Sequence, residues 1–139
     1  MDPNFIQAWT GLAMAQNLSG RYQEAIATAR KARSVSGGDT PTVVAELGYA
    51  CARAGQTQEA QKLMRELEDR KARGAYVDPF VFAFIDAGLD NKPQAIALLN
   101  EAFEQRSGMM LWLQAEPKFK PLRTEQGFRE LLQKMRFKK

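Results

Sequence analysis

The sequence predicts an all-α chain: three helix pairs stacked in a row, closed at the carboxyl end by a helical cap. Three observations carry this. Segments "QNLSGRYQEAIATARKAR" (16–33), "CARAGQTQEAQKLMRELE" (51–68) and "DAGLDNKPQAIALLNEAF" (86–103) align without a gap at a spacing of 35 residues. Apolar residues recur at helical spacing on both sides of each turn. The last thirty residues leave the repeat and form one strongly amphipathic helix after two prolines.

Each unit reads as helix, turn, helix. Ala25, Ala60 and Ala95 coincide, as do Gly20, Gly55 and Asp90 at the turn, and Ala32, Leu67 and Ala102 at the close. A first helix that must end in a left-handed residue selects Gly, and Asp90-Asn91 takes that place in the third unit. Upstream, Trp9, Leu12 and Ala13, then Val44, Leu47 and Gly48, then Pro79, Phe82 and Ala83 mark the first helices. Ala13, Gly48 and Ala83 face Ala25, Ala60 and Ala95, so the paired backbones can approach at the short end of the usual range. Trp9, Leu12, Ile26, Leu47, Leu63, Phe82, Ile96 and Leu99 are expected to fill the space around them. Thr40 before Pro41, and Asp78 before Pro79, are cap and first-turn signals that start the second and third units.

These residues resemble the tetratricopeptide repeat. Trp9, Leu12, Ala13, Gly20, Tyr22, Ala25 and Ala32 match its pattern in the first unit; the second keeps Leu47, Gly48, Gly55 and Ala60, and the third Ala83, Ala95 and Ala102. The resemblance implies a right-handed α-solenoid with repeats at about 6–39, 41–74 and 76–108 and a cap at 109–139, forming a single domain. The end of the chain ("WL", then "PKFKPLR", then "FRELLQKM") is also similar to the carboxyl end of large bacterial signalling proteins, which carry a kinase, cyclase or winged-helix domain upstream. On that reading Met1 is a start within a longer protein, and Asp2-Pro3-Asn4 is the seam after an earlier element. The apolar face left there, with Phe5 and Trp9, would seek cover in a neighbouring copy.

Composition limits the chemistry. The 139 residues suffice for one domain, with 45% apolar and 26% charged residues. There is no histidine, which removes Ser-His and Cys-His catalysis and nearly all zinc sites. Cys51 is alone, so no intrachain disulfide forms, and a cytoplasmic location is slightly favoured. The longest uncharged run, 3–20, is too polar to span a membrane. Carboxylates Glu101 and Glu104, Asp86 and Asp90, and Glu66, Glu68 and Asp69 read as solvated helix faces. Cys51 reads as a buried inert thiol, and Gly37-Gly38 as a turn without the lysine of a phosphate loop. The expectation is a chain that is not an enzyme and holds no cofactor or metal.

Binding remains. In repeats of this kind the first helices line a concave groove, and the corresponding positions here are Gln7, Thr10, Met14 and Asn17; Thr42, Ala45, Tyr49 and Ala52; and Val77, Phe80, Phe84 and Ala87. Phe80 and Phe84 lie one turn apart on a helix apolar on more than one side, so they offer a joint aromatic surface unless the terminal segment folds across them. The groove is expected to bind a protein or peptide through Tyr49, Phe80, Phe84 and Met14, with Gln7, Asn17 and Arg53 adjusting polar contacts. Thr10, Met14, Ala45 and Tyr49 replace the family's carboxylate clamp, which implies an apolar or mixed ligand. The competing reading is nucleic-acid binding by the tail: residues 109–139 hold eight basic against three acidic groups, interleaved with Phe119, Phe128 and Phe137. In the tail, Phe119 and Phe128 are expected in the core and the charges outside. Self-association through convex or edge surfaces is the third possibility.

Overall fold

The computed structural model describes residues 3–35 and 37–137. Asp2 of the seam, Ser36, Lys138 and Lys139 lie outside the described residues, as does the side chain of Phe137. The architecture is all-helical: α1 (Pro3–Leu18), α2 (Tyr22–Arg33), α3 (Pro41–Arg53), α4 (Thr57–Ala72), α5 (Pro79–Gly88) and α6 (Lys92–Glu104), then two 3-10 segments, Gly108–Trp112 and Pro117–Thr124, and α7 (Gln126–Phe137). No helix among the described residues is long and apolar enough to cross a membrane.

The three turns repeat one geometry. Gly20, Gly55 and Asp90 all take left-handed backbone, with φ of 76°, 86° and 61°. Around them Arg21, Gln56 and Asn91 donate their N–H groups to the carbonyls of Gln16, Cys51 and Asp86, at 2.8, 2.8 and 2.9 Å. This doubly bonded cap satisfies carbonyls that a helix end leaves free, and it turns the chain sharply into the next helix. Glycine adopts that backbone without strain, and Asp tolerates it better than most residues. The start signals hold too: Thr40 Oγ1 accepts the Val43 N–H at 3.2 Å and Asp78 Oδ1 accepts that of Phe80 at 2.9 Å.

Pairing follows the small residues. Ala13, Ala83, Ala25, Ala60 and Ala95 are all buried. Each helix pair packs on the next, α1 against α3 and α3 against α5, with α2 touching α3 and α4 touching α5. The α3–α5 approach is close at both glycines: a Cβ on Gly48 would stand 2.6 Å from Ile85 Cδ1, and one on Gly88 3.1 Å from Ala52 Cβ. Outside, Arg33 meets Asp39 at 2.8 Å and Glu66 at 2.6 Å, while Arg70 meets Asp39 at 2.8 Å, joining α2 to α4 around the connecting loop.

Two expectations are corrected here. Leu12 is not core but half-exposed, because no described helix lies on its side of α1, whereas Leu47, 35 residues on, is buried. Helix α5 is apolar all round because every residue from Pro79 to Gly88 is buried, with α3, α4, α6 and the segment Pro117–Thr124 around it. Among the terminal residues Phe119, Leu122, Phe128 and Leu131 are buried, and α7 rests on Pro117–Thr124 and α6.

The glycine contact is testable. Gly48→Ala must displace Ile85 from between α3 and α5, so urea unfolding should show a loss of about 1–3 kcal/mol, the usual cost of overpacking. An unchanged midpoint would mean that the two helices can separate freely.

Candidate interaction groove

The inner face of the molecule is built by α1, α3 and α5, and the segment Pro117–Thr124 lies across it. Prolines at 117 and 121 keep that segment from continuing as an α-helix, so it crosses the face as a short 3-10 strap. Glu116 caps it, accepting the Lys118 N–H at 3.2 Å, and Arg123 Nη2 donates to the Gln114 carbonyl at 2.8 Å.

Two strap side chains enter the face. The Phe119 ring is fully buried, 5.2 Å from that of Phe80 and 5.7 Å from that of Phe84, while those two stand 5.5 Å apart. Phe80 meets both other rings edge-to-face, and such pairs contribute about 0.5–1.5 kcal/mol each beyond their area. Lys118 is only 6% exposed and places Nζ 2.8 Å from Glu46 Oε2 and 3.3 Å from Glu116 Oε1. The same ammonium lies 4.4 Å from the ring centre of Phe84 and 5.3 Å from that of Tyr49. Glu46, 1% exposed, is held from the other side by Asn17, whose Nδ2 donates to Oε1 at 2.9 Å and to the Glu46 carbonyl at 3.1 Å.

The strap rearranges the predicted site. Phe80 and Phe84 are not free aromatics of an open groove, because Phe119 covers them and they are 1% and 3% exposed. Asn17 is buried and committed to Glu46. Thr10 Oγ1 donates to the Ile6 carbonyl of its own helix. Gln7 and Arg53 are exposed but line neither cleft described below. Met14 remains open at 40% exposure, and Tyr49 is half-buried with its ring 6.3 Å from Tyr22.

What stays open are two clefts on either side of Met14. One, of about 410 Å³, is lined by Met14, Asn17, Leu18, Tyr22, Tyr49 and Lys120. The other, of about 300 Å³, runs between Met14, Thr42, Met109, Trp112 and Glu116, with Phe80 and Phe84 at its floor. Leu18 and Trp112 are 65% and 63% exposed. Trp112 was not among the residues expected from sequence, and neither were Glu46 and Lys118 as a pair. Glu46 could have been noticed: it is the only charge in α3 before Arg53, at a position occupied by Gly11 and Val81 in the neighbouring units.

Burial shifts several titratable groups in and near this face. Burial pushes the Tyr49 phenol up to about 12, so it stays protonated at neutral pH, and burial also raises the Cys51 thiol. Asp86 is pushed up to about 6 by burial, opposed by Asn91, and it stands in α5 away from both clefts. Among the described residues no group of three or more Cys, Asp or Glu could hold a metal. In the tail, Lys118 is paired inside and Phe119 and Phe128 are buried, while Lys120, Arg123 and Arg129 are exposed.

Compared with known proteins, the chain matches no family model, no curated protein sequence and no solved structure.

The buried pair makes an energetic prediction. Lys118→Ala leaves the Glu46 carboxylate inside without its cation and should cost about 3–5 kcal/mol in urea unfolding. Glu46→Leu with Lys118→Met, which removes both charges, should unfold no more than about 1 kcal/mol below the native chain. Equal losses in the two variants would show that the pair is held by packing alone.

Proposed function

We propose that this chain is a non-catalytic protein-interaction module: a right-handed tetratricopeptide-like array of three helix pairs with a carboxyl-terminal cap, which takes a peptide segment between α1 and the strap. The carrying observation is the pair of clefts around Met14. They place three exposed apolar side chains, Met14, Leu18 and Trp112, along a concavity whose floor is aromatic. Exposed apolar surface in a concave site, next to a few polar groups, is the usual form of a peptide site. The 35-residue register, its three left-handed turns and the small-residue contacts support the repeat reading. The similarity of the tail to the ends of bacterial signalling proteins supports a regulatory or scaffolding role within a larger protein.

The groove reading is tested by selecting peptides from a display library on the purified chain. Met14→Glu and Trp112→Ala should each weaken selected peptides at least about tenfold, the loss of one hot-spot contact, with unchanged circular dichroism. Retained binding in both variants would remove the clefts from consideration. Truncating Phe80 or Phe84 would report on the core instead.

A second reading, self-association, rests on α1. Its outward face carries Phe5 and Leu12, 57% and 48% exposed, beside the exposed small residues Ala8, Gly11 and Ala15, and the helix has no charge. Two such faces, crossed antiparallel about Gly11 and Leu12, would set large residues against small ones. Light scattering across a concentration series should then show a dimer that Leu12→Glu abolishes; a monomer throughout would dismiss this face.

A further inference from the structure

We infer that the inner face carries a built socket for a lysine side chain followed by an aromatic ring, which the chain fills with its own Lys118 and Phe119. The groove's partner is then a protein segment with that pair of residues, which competes with the strap. This rests on the peptide-groove reading above and adds the chemistry of the ligand.

The walls and the occupant belong to different parts of the molecule. Asn17 comes from α1, Glu46 and Tyr49 from α3, and Phe80 and Phe84 from α5. Lys118 and Phe119 arrive on a 3-10 strap whose outer residues, Lys120, Pro121, Arg123 and Thr124, face water. Every feature of the wall suits an ammonium. A carboxylate stands 2.8 Å from Nζ, the Asn17 amide donates to its other oxygen and to the Glu46 backbone carbonyl, and the Tyr49 and Phe84 rings flank the cation. Beside it, Phe80 receives the Phe119 ring edge-on and Phe84 meets it tilted at 45°.

Nor does the repeat itself call for this arrangement. The positions equivalent to Glu46 are Gly11 and Val81, so an uncharged residue serves the same place in the other two units. A buried ion pair is an inefficient filler, since apolar residues of like volume do as well or better, and the best-attested use of such a pair is specificity. An acid left in the wall is unfavourable until a cation arrives, and that selects the ligand. Glu116 caps the strap and leaves with it, so Glu46 is the wall's own acid for an incoming lysine. The tethered strap acts at an effective concentration on the order of millimolar, which sets the competition an external segment must overcome.

The experiment uses a fluorescein-labelled peptide with the sequence of residues 114–123, QAEPKFKPLR, read by anisotropy on the full chain. Lys118→Ala with Phe119→Ala vacates the socket, and circular dichroism checks that the variant is folded. It should bind the peptide at least tenfold more tightly than the native chain does. Methionine in place of the peptide's first lysine, or Glu46→Gln added to the vacated chain, should abolish that gain. A folded variant that binds no better than the native chain, or without regard to the lysine, overturns the socket. Should the variant unfold, the native chain answers by hydrogen exchange. Peptide at about 1 mM should speed amide exchange in 116–122 while the methionine peptide does not, and identical exchange with both overturns the proposal. Binding of display-selected peptides that stays sensitive to Met14→Glu but ignores lysine would end the socket alone. If no peptide of either kind binds, the groove reading beneath it fails as well.

Discussion

Everything on the inner face depends on how closely α3 and α5 approach. Ile85 occupies the space that a side chain on Gly48 would need, with its Cδ1 2.6 Å from the position of a Cβ there, and Gly88 lies in turn against Tyr49 and Ala52. Two glycines, one on each helix, therefore bring the inward rows of α3 and α5 together. Glu46, Tyr49, Phe80 and Phe84 converge within reach of one lysine and one phenylalanine as a result. With ordinary side chains at 48 and 88 the helices would stand farther apart, and the aromatic and acidic parts of the face could not share an occupant.

Two kinds of interaction then hold the strap, and their sizes differ in origin. Phe119 and Leu122 leave water almost completely, which stabilises the strap by about 1.5–3 kcal/mol for each side chain. The ion pair contributes little net stability against an apolar substitute, because two charges have been desolvated to form it. Packing therefore supplies the adhesion, and the charge pair decides which residue sits where. A lysine can enter beside Glu46, whereas a neutral or acidic side chain would leave the carboxylate unpaired in a nearly dry site.

The sequence made the frame legible and hid the centre. Left-handed Gly20, Gly55 and Asp90, the caps at Thr40 and Asp78, and the buried alanines all follow from local rules acting every 35 residues. Phe119 and Phe128 were readable as core because a terminal cap needs an apolar underside. The groove was harder. Phe80 and Phe84 occupy inward positions, but whether an inward position is open depends on where residues nearly forty places later come to rest. Lys118 lies in a basic run that looks like a wet surface, and only the partner across the groove shows that this one lysine turns inside. Leu12 misleads in the opposite sense, since its pattern is that of core but no described helix meets it.

The strap's double duty constrains any ligand that takes its place. It closes the apolar face of α5 and it neutralises Glu46, so withdrawing it exposes Phe80 and Phe84 at the same time as it strips the carboxylate of its cation. A lone lysine would answer the second loss and leave the first, with two aromatic rings returned to water. An apolar segment would cover the rings and leave a buried charge without a partner. Only a segment that carries both groups at adjacent positions, as Lys118 and Phe119 are, compensates both losses together. Met14 and Trp112, exposed and lining one cleft beside the strap, would then supply contacts that a bound segment can gain. On the proposed reading, the open clefts would give such a ligand its surplus affinity, and the socket its selectivity.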